Sequence, residues 1–203
     1  MENLQRLTGH LRASGALKSP EIIQAFLNVD RKYFVPDKYQ RFTYNDEALP
    51  IGYGQTISQP YTVAFMLELL RPQAGDKVID IGSGSGWTTA LLANLGGSIG
   101  EVIGLEIIPE LVELGQKNLK HFRCRWARIK QASPELGLPV SAPFDRILVS
   151  ASAETLPQAL INQLKIGGAL VMPVGNSIFR VTKGKDKNRI EEYPGFVFVP
   201  LVT

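Results

Sequence analysis

Three observations predict an α/β sandwich with a helical segment before it and an antiparallel hairpin after it. Beyond Gly75, short apolar runs alternate with stretches of helical spacing; one apolar run feeds a glycine-rich turn; and the tail changes to two β-rich stretches around a Lys/Gly tip. Parallel neighbours need crossover connections, so this alternation implies a parallel sheet covered on both faces. The 203 residues, 44% apolar and 20% charged, suit one compact domain. We divide it into helices and a loop over residues 1–74 and a sheet over residues 75–203.

The elements follow in order. Ser19-Pro20 is a turn in which Ser19 is placed to cap a helix carrying Ile22, Ile23, Phe26 and Leu27 on one face and stopping near Arg31. From Phe34 to Pro60 the chain is rich in Pro, Gly, Tyr and Gln without periodicity, and a long loop of this kind is a functional candidate. Helical spacing returns from Tyr61 to Leu70 through Val63, Met66 and Leu67. Strands are predicted at Lys77 to Ile81, Glu101 to Glu106, Arg128 to Gln131, Arg146 to Ser150 and Ala169 to Val174. Helices are predicted from Gly86 to Leu95, Pro109 to Lys120 and Leu156 to Leu164. Ser177 to Thr182 and Glu191 to Val199 are predicted to close the sheet as a hairpin around Lys183 to Arg189.

Composition narrows the function classes. Twenty-two Lys and Arg against 19 Asp and Glu leave a formal charge of +3, too small an excess for a dedicated nucleic-acid binder. The basic run from Lys120 to Lys130 reads more simply as a helix end entering a strand, where cations suit the helix dipole. The longest uncharged run, Ile81 to Gly100, holds six glycines and is no membrane span. A single cysteine, Cys124, leaves the core to hold the fold, as in a reducing compartment, and Met1 to Arg6 lacks a signal-peptide pattern. A cytoplasmic protein, acting as a monomer, is expected.

The sharpest local signal is Val78-Ile-Asp-Ile-Gly82-Ser-Gly84-Ser-Gly86-Trp87, a buried strand feeding a turn that opens a helix. Glycines there let a ligand lie against the backbone. A tryptophan stands where a dinucleotide fingerprint wants its last small residue, which disfavours a pyrophosphate site. Asp80 brings a carboxylate toward the turn, suited to a cationic or zwitterionic cofactor. The next strand ends in Glu106, placed to accept both hydroxyls of an adenosine ribose. Together Asp80 and Glu106 point to S-adenosylmethionine, with Gly82, Ser83, Gly84 and Gly86 as the turn that cradles it.

Tyr44-Asn-Asp-Glu-Ala-Leu-Pro-Ile-Gly-Tyr-Gly-Gln-Thr-Ile-Ser58-Gln-Pro-Tyr-Thr-Val-Ala64 resembles the protein-L-isoaspartate (D-aspartate) O-methyltransferase family. The resemblance extends in order through Arg31 to Pro36, the cofactor turn, Ala142 to Val149, Leu164 to Gly168, Met172 to Gly175 and Phe198 to Leu201. It implies a Rossmann-like class I S-adenosylmethionine-dependent methyltransferase sandwich. The activity it implies is methylation of the α-carboxylate of L-isoaspartyl residues in damaged proteins and peptides. The ester then cyclises to a succinimide, whose hydrolysis returns some normal aspartyl linkage. By the same resemblance Ser58 is the residue whose hydroxyl sits at the reacting carboxylate. Gln55, Thr56 and Ile57 line that loop against the cofactor, and Val197 to Leu201 shape the acceptor pocket.

The chemistry asks for no general base, because a carboxylate with an ordinary pKa of about 4 is already ionised near neutral pH. The absence of paired acids and of a Cys-His pair fits this, and His10 and His121 lie outside the matched motifs. Ser58 has a second reading as the cap of the helix beginning at Pro60 or Tyr61.

One motif departs. Where the family usually carries Gly-Asp-Gly after the third strand, its Asp accepting from the adenine amino group, this chain has Ala132-Ser133-Pro134. Ser133 is then the residue left to meet adenine, by its hydroxyl or through water. The departure keeps two alternatives open: a non-catalytic recognition module for isoaspartyl chains, or methyl transfer to another carboxylate. The intact Thr56-Ile57-Ser58 loop and glycine turn favour the repair methyltransferase.

Overall fold

The computed structural model describes residues 2–202. Three helices lead: α1 (Glu2–Ala13), α2 (Pro20–Asn28) and α3 (Pro60–Leu70). Between α2 and α3 lie two 3-10 segments, Arg31–Phe34 and Asp37–Phe42, and a small hairpin of β1 (Leu49–Gly52) and β2 (Gln55–Ile57). Then come β3 (Lys77–Ile81), α4 (Trp87–Gly96), β4 (Glu101–Glu106), α5 (Pro109–Leu119), β5 (Ala127–Gln131), β6 (Phe144–Val149), α6 (Gln158–Asn162), β7 (Leu164–Val174), β8 (Ser177–Thr182) and β9 (Arg189–Pro194). The strands from β3 onward form one sheet in the order β5-β4-β3-β6-β7-β8-β9, parallel through β7 and antiparallel in β8 and β9. No helix among the described residues is long and apolar enough to cross a membrane.

Strand residues alternate between two apolar layers, as a period of two dictates. Val78, Val102, Leu148 and Val171 join one cluster with residues of α1 to α5. Ile79, Ile103, Ile147 and Leu170 join the other, covered by α6 and by Leu136, Leu138 and Ala142 of the loop before β6. The faces are therefore unequally clad. The N-terminal helices share their core with the sheet rather than packing by themselves.

Five expectations change in detail. The loop before Pro60 is not aperiodic throughout: Leu49 and Ile51 are buried while Pro50 and Gly52 are exposed, the alternation of a strand too short to announce itself. Ser19 occupies the N-cap position of α2 but makes no side-chain cap bond; its hydroxyl donates to Glu68 Oε2 on α3 at 2.7 Å, fastening the two helices together. Helix α6 is five residues long, shorter than expected, because Gln163 turns its amide to Leu136 and Leu138 instead of extending the helix. Strand β7 begins earlier, at Leu164, with a break of register opposite Phe144 and Arg146. The last strand stops at Pro194, where Gly195 at φ +99° turns the chain back toward the sheet, and its N–H donates to Asn176 O.

Candidate active site

The carboxyl ends of β3, β4 and β6 open into a cavity of about 360 Å³, the position at which open α/β sheets bind ligands. Three groups of residues enclose it: the turn after β3, the segment after Glu106, and β2 with Ser58. Val199 to Val202 close the remaining side. They are held by a backbone exchange in which Ser152 N–H donates to Val199 O and Leu201 N–H to Ser152 O, each at 2.8 Å.

The turn is fixed by its own backbone. Gly82 and Ser83 N–H both donate to Leu105 O, at 2.8 and 3.0 Å, and Gly86 N–H donates back to Ser83 O at 2.8 Å. Gly82, Ser83 and Gly84 line the cavity, and the Ser83 hydroxyl is buried without a protein partner. The side chain turns toward β4, where a Cβ on Gly104 would meet Ser83 Cβ at 3.1 Å, so the residue meets the cavity without presenting its hydroxyl to it. Gly86 is not in the lining. It is needed elsewhere: a Cβ there would come within 3.0 Å of Ile129 Cδ1 and 3.2 Å of Gly115 O, and one on Gly115 within 3.1 Å of Gly84 O. The turn and α5 thus lie backbone against backbone.

Glu106 is 5% exposed and lines the cavity. Its Oε2 accepts from Gly84 N–H at 2.8 Å, and its Oε1 accepts from Ile107 and Ile108 N–H at 2.8 and 3.0 Å. Three donors orient the carboxylate, and the capacity left over lies on Oε2. Asp80 sits differently, fully buried behind the turn and outside the lining. Its Oδ2 accepts from the hydroxyls of Thr88 and Thr89 at 2.7 and 2.6 Å, and Oδ1 has no partner. Burial pushes this carboxyl up to about 6, against the pull of the two hydroxyls, with the nearby Glu106 charge adding to the rise. Thr88, on the cavity wall, stands between Asp80 and any occupant.

On the opposite wall, β1 and β2 pair Leu49 with Ile57 and Pro50 with Thr56, which brings Gln55, Thr56, Ile57 and Ser58 to the cavity together. Ser58 is half-buried, and its hydroxyl has no hydrogen-bond partner among the described residues. It is not the cap of α3. That task falls to Asp46, whose Oδ1 accepts from Tyr61 N–H at 2.8 Å, while Gln59 holds the N-cap position. The Ser58 hydroxyl is therefore left to the cavity. Its carbonyl accepts from Nη2 of Arg31 at 3.1 Å, a residue the sequence marked only as part of a motif and that is wholly buried.

Ser133 is exposed and outside the lining, its hydroxyl donating to Glu135 O at 3.3 Å. Its neighbour Ala132 does line the cavity, held there by a bond from its N–H to Glu106 O at 2.8 Å. Ala132, Ile107 and Ser150 also meet the cavity, and composition or spacing did not single them out; Trp87, marked by spacing only as a departure from a dinucleotide fingerprint, meets it too. Trp87 donates from Nε1 to Val29 O at 3.3 Å and packs edge-on against Phe26, so the bulk that departs from a dinucleotide fingerprint belongs to the contact between α4 and α2.

The cavity suits S-adenosylmethionine: it holds an oriented carboxylate at the end of β4, the glycine turn of Gly82 to Gly84, and apolar walls from Ile81, Leu105 and Ile107. The profile of the protein-L-isoaspartate(D-aspartate) O-methyltransferase family matches residues 2–203. This chain belongs to that family. A protein-L-isoaspartate O-methyltransferase of Pyrococcus horikoshii is 39% identical over 207 residues, covering 99% of this chain and 93% of the relative. One of Methanopyrus kandleri is 41% identical over 204 residues, covering 98% of this chain and 90% of the relative. A Plasmodium falciparum structure assigned to the same activity, in complex with S-adenosyl-L-homocysteine, superposes with a TM-score of 0.84 at 27% identity, covering 97% of each chain. The family's fold is thus the one observed here, and no large insertion separates this chain from its relatives.

Proposed function

We infer that this protein methylates the α-carboxylate of L-isoaspartyl residues in proteins and peptides, using S-adenosylmethionine. The observation that carries the reading is the convergence on one cavity of the Glu106 carboxylate, the glycine turn and the free hydroxyl of Ser58. Membership of the family and the coverage of its named relatives support it.

S-adenosylmethionine, when bound, supplies an electrophilic methyl group. We assign its ribose to Glu106, whose carboxylate is preset by three N–H donors, and its polar end to the backbone of Gly82, Ser83 and Gly84. Gln55, Thr56 and Ile57 cover it from the other wall. Asp80 acts from behind the turn, through Thr88 and Thr89. Ser58 donates to an acceptor carboxylate oxygen and so fixes the line of attack. The acceptor arrives ionised, so the chain's task is placement and the exclusion of water, which contributes about 7 to 11 kcal/mol in well-oriented reactions. The segment from Val199 to Val202 closes the cavity against solvent.

The single cysteine supports a cytoplasmic setting, and a monomer is the state we propose. The family profile across residues 2–203, with a core shared by helices and sheet, supports one domain. Incubation with methyl-labelled S-adenosylmethionine and matched isoaspartyl and aspartyl peptides tests the activity. Label should enter the isoaspartyl peptide alone; label in neither peptide, with cofactor bound, would leave a recognition module, and equal label in both would mean a different acceptor. Sedimentation of the purified protein tests the monomer.

A further inference from the structure

We propose that Arg31 is a positioning residue for methyl transfer: its buried guanidinium holds the Ser58 carbonyl, and with it residues 43–58, in register with the cofactor turn. The proposal rests on the assignment of Ser58 to the acceptor.

Arg31 is fully buried and forms no ion pair among the described residues. Its partners are carbonyl oxygens. Nη1 donates to Thr43 O at 2.8 Å and to Asn45 O at 3.4 Å; Nη2 donates to Glu47 O at 2.9 Å and to Ser58 O at 3.1 Å. Nε has no partner. All four acceptors belong to the stretch that carries the hairpin and ends at Ser58. The stretch has little regular structure of its own, so these bonds replace the ladder that a larger sheet would provide. On its other side the guanidinium lies 5.3 Å from the ring centre of Trp87, the first residue of α4 and a wall of the cavity. One side chain therefore touches both the acceptor loop and the end of the cofactor turn.

Energetics argue that this is more than filling. A cation taken out of water without a close counter-ion is costly, and an apolar side chain would fill the same space at lower cost. Burial lowers this guanidinium to about 10, while the nearby charges of Asp46 and Glu47 pull the other way. What an apolar residue lacks is a planar fork of donors able to gather four carbonyls at once. Lysine lacks it too, because its ammonium is a point charge on a flexible stem.

The test compares Arg31→Lys and Arg31→Met in the full chain, by steady-state kinetics on an isoaspartyl peptide, by calorimetry with S-adenosyl-L-homocysteine, and by amide hydrogen exchange. For Arg31→Lys we expect kcat to fall about 10- to 100-fold while the affinity for S-adenosyl-L-homocysteine, to which Gln55, Thr56 and Ile57 of the same stretch contribute, falls several-fold less than kcat, and Arg31→Met to fall further in kcat. Exchange protection should drop over residues 43–58 and persist in β3 and β4. A merely structural role would lower cofactor affinity in step with kcat, or strip protection from the whole sheet, and either result overturns the proposal. Full kcat in Arg31→Lys with unchanged exchange does the same. Should Arg31→Met fail to fold, the lysine variant, which keeps the charge and most of the stem, decides alone. Should the unmodified protein leave isoaspartyl peptides untouched, the assignment of the acceptor fails, and exchange with cofactor affinity still decides whether Arg31 holds the loop.

Discussion

On the cofactor wall, Glu106 is oriented by the N–H groups of Gly84, Ile107 and Ile108, two of them its immediate chain neighbours, whereas on the acceptor wall Ser58 is held through Arg31, 27 residues away. The first wall stands on regular strands, and the backbone itself supplies the donors. The second crosses an irregular stretch, where long side chains replace a ladder: Gln40 donates to Lys32 O and Val35 O, Gln59 to Asp46 O, and Tyr44 to the Asp30 carboxylate. Each wall also has one fully buried charged side chain behind it with an atom left unpartnered. Asp80 lies behind the turn with one oxygen unpartnered, and Arg31 lies behind the loop with one nitrogen unpartnered. The difference teaches where damage should appear. Lesions in the regular wall should reach cofactor affinity and stability, and lesions in the irregular wall should reach turnover.

The largest expected effect is on the regular wall. Because burial raises the Asp80 carboxyl to about 6, the folded state favours its protonated form. Its contribution to stability is therefore complete below the ordinary carboxylate pKa and is lost as pH rises through about 6. The rise corresponds to about 3 kcal/mol. Urea unfolding of the wild type and of Asp80→Asn at intervals from pH 4 to 7 should show the difference between them shifting by about that amount, with the wild type favoured at the acid end. Parallel pH profiles would mean that Asp80 titrates normally in the fold.

Next comes Glu106→Gln. The amide must present N–H to at least one backbone N–H that in the wild type donates to a carboxylate oxygen, and the charged acceptor we assign to the ribose is gone. Cofactor affinity should fall by about 1.5 to 3 kcal/mol, the range for hydrogen bonds to a charged group. Calorimetry with S-adenosyl-L-homocysteine reads this directly, and an unchanged affinity would take Glu106 out of the cofactor site.

Ser58→Ala probes the other wall. Since Asp46 rather than Ser58 caps α3, the substitution should leave the thermal midpoint nearly unmoved. It should lower kcat about tenfold, as loss of about 1.5 kcal/mol of transition-state contact does. Cofactor affinity should stay the same. If affinity falls and kcat does not, the two walls are not divided as described.

The smallest effect is a gain. Ser133→Asp beside Ala132 should tighten cofactor binding by about 0.5 to 1.5 kcal/mol, seen in the KM for S-adenosylmethionine with kcat little changed. If Pro134 holds the segment away, Ser133→Asp with Pro134→Gly should show the gain instead. Neither variant binding more tightly would mean that adenine is read by other groups, with the Ala132 backbone the nearest candidate.

The same division decides what the sequence disclosed. Strands β3 to β6 and the turn were legible because short apolar runs set between helical stretches, and clustered glycines, are local signals in the sequence. The hairpin of β1 and β2 was not. Its strands are four and three residues long, and its turn sets Tyr53 at φ +54°, a conformation that tyrosine does not advertise. The burial of Arg31 was hidden for a related reason: a charged residue reads as solvated unless its distant carbonyl partners are known. At Ser58 the sequence left two readings, hydroxyl for ligand or helix cap. Only the arrival of Asp46 at Tyr61, 15 residues along the chain, separates them. Likewise the end of the last strand depended on a return of the chain at Gly195 that no periodicity records.

The close seat of the turn on α5 has a mechanical consequence. With no room for a Cβ on Gly115 against Gly84 O, only the Ile129 side chain lies alongside this backbone contact, and little there absorbs displacement. The same helix starts just after Ile107 and Ile108, whose N–H groups orient Glu106. Any slide of α5 along its axis therefore carries the floor of the turn and the aim of the carboxylate together. The cofactor wall has one adjustment rather than two, and thermal motion there should appear as a concerted tilt of helix, turn and carboxylate.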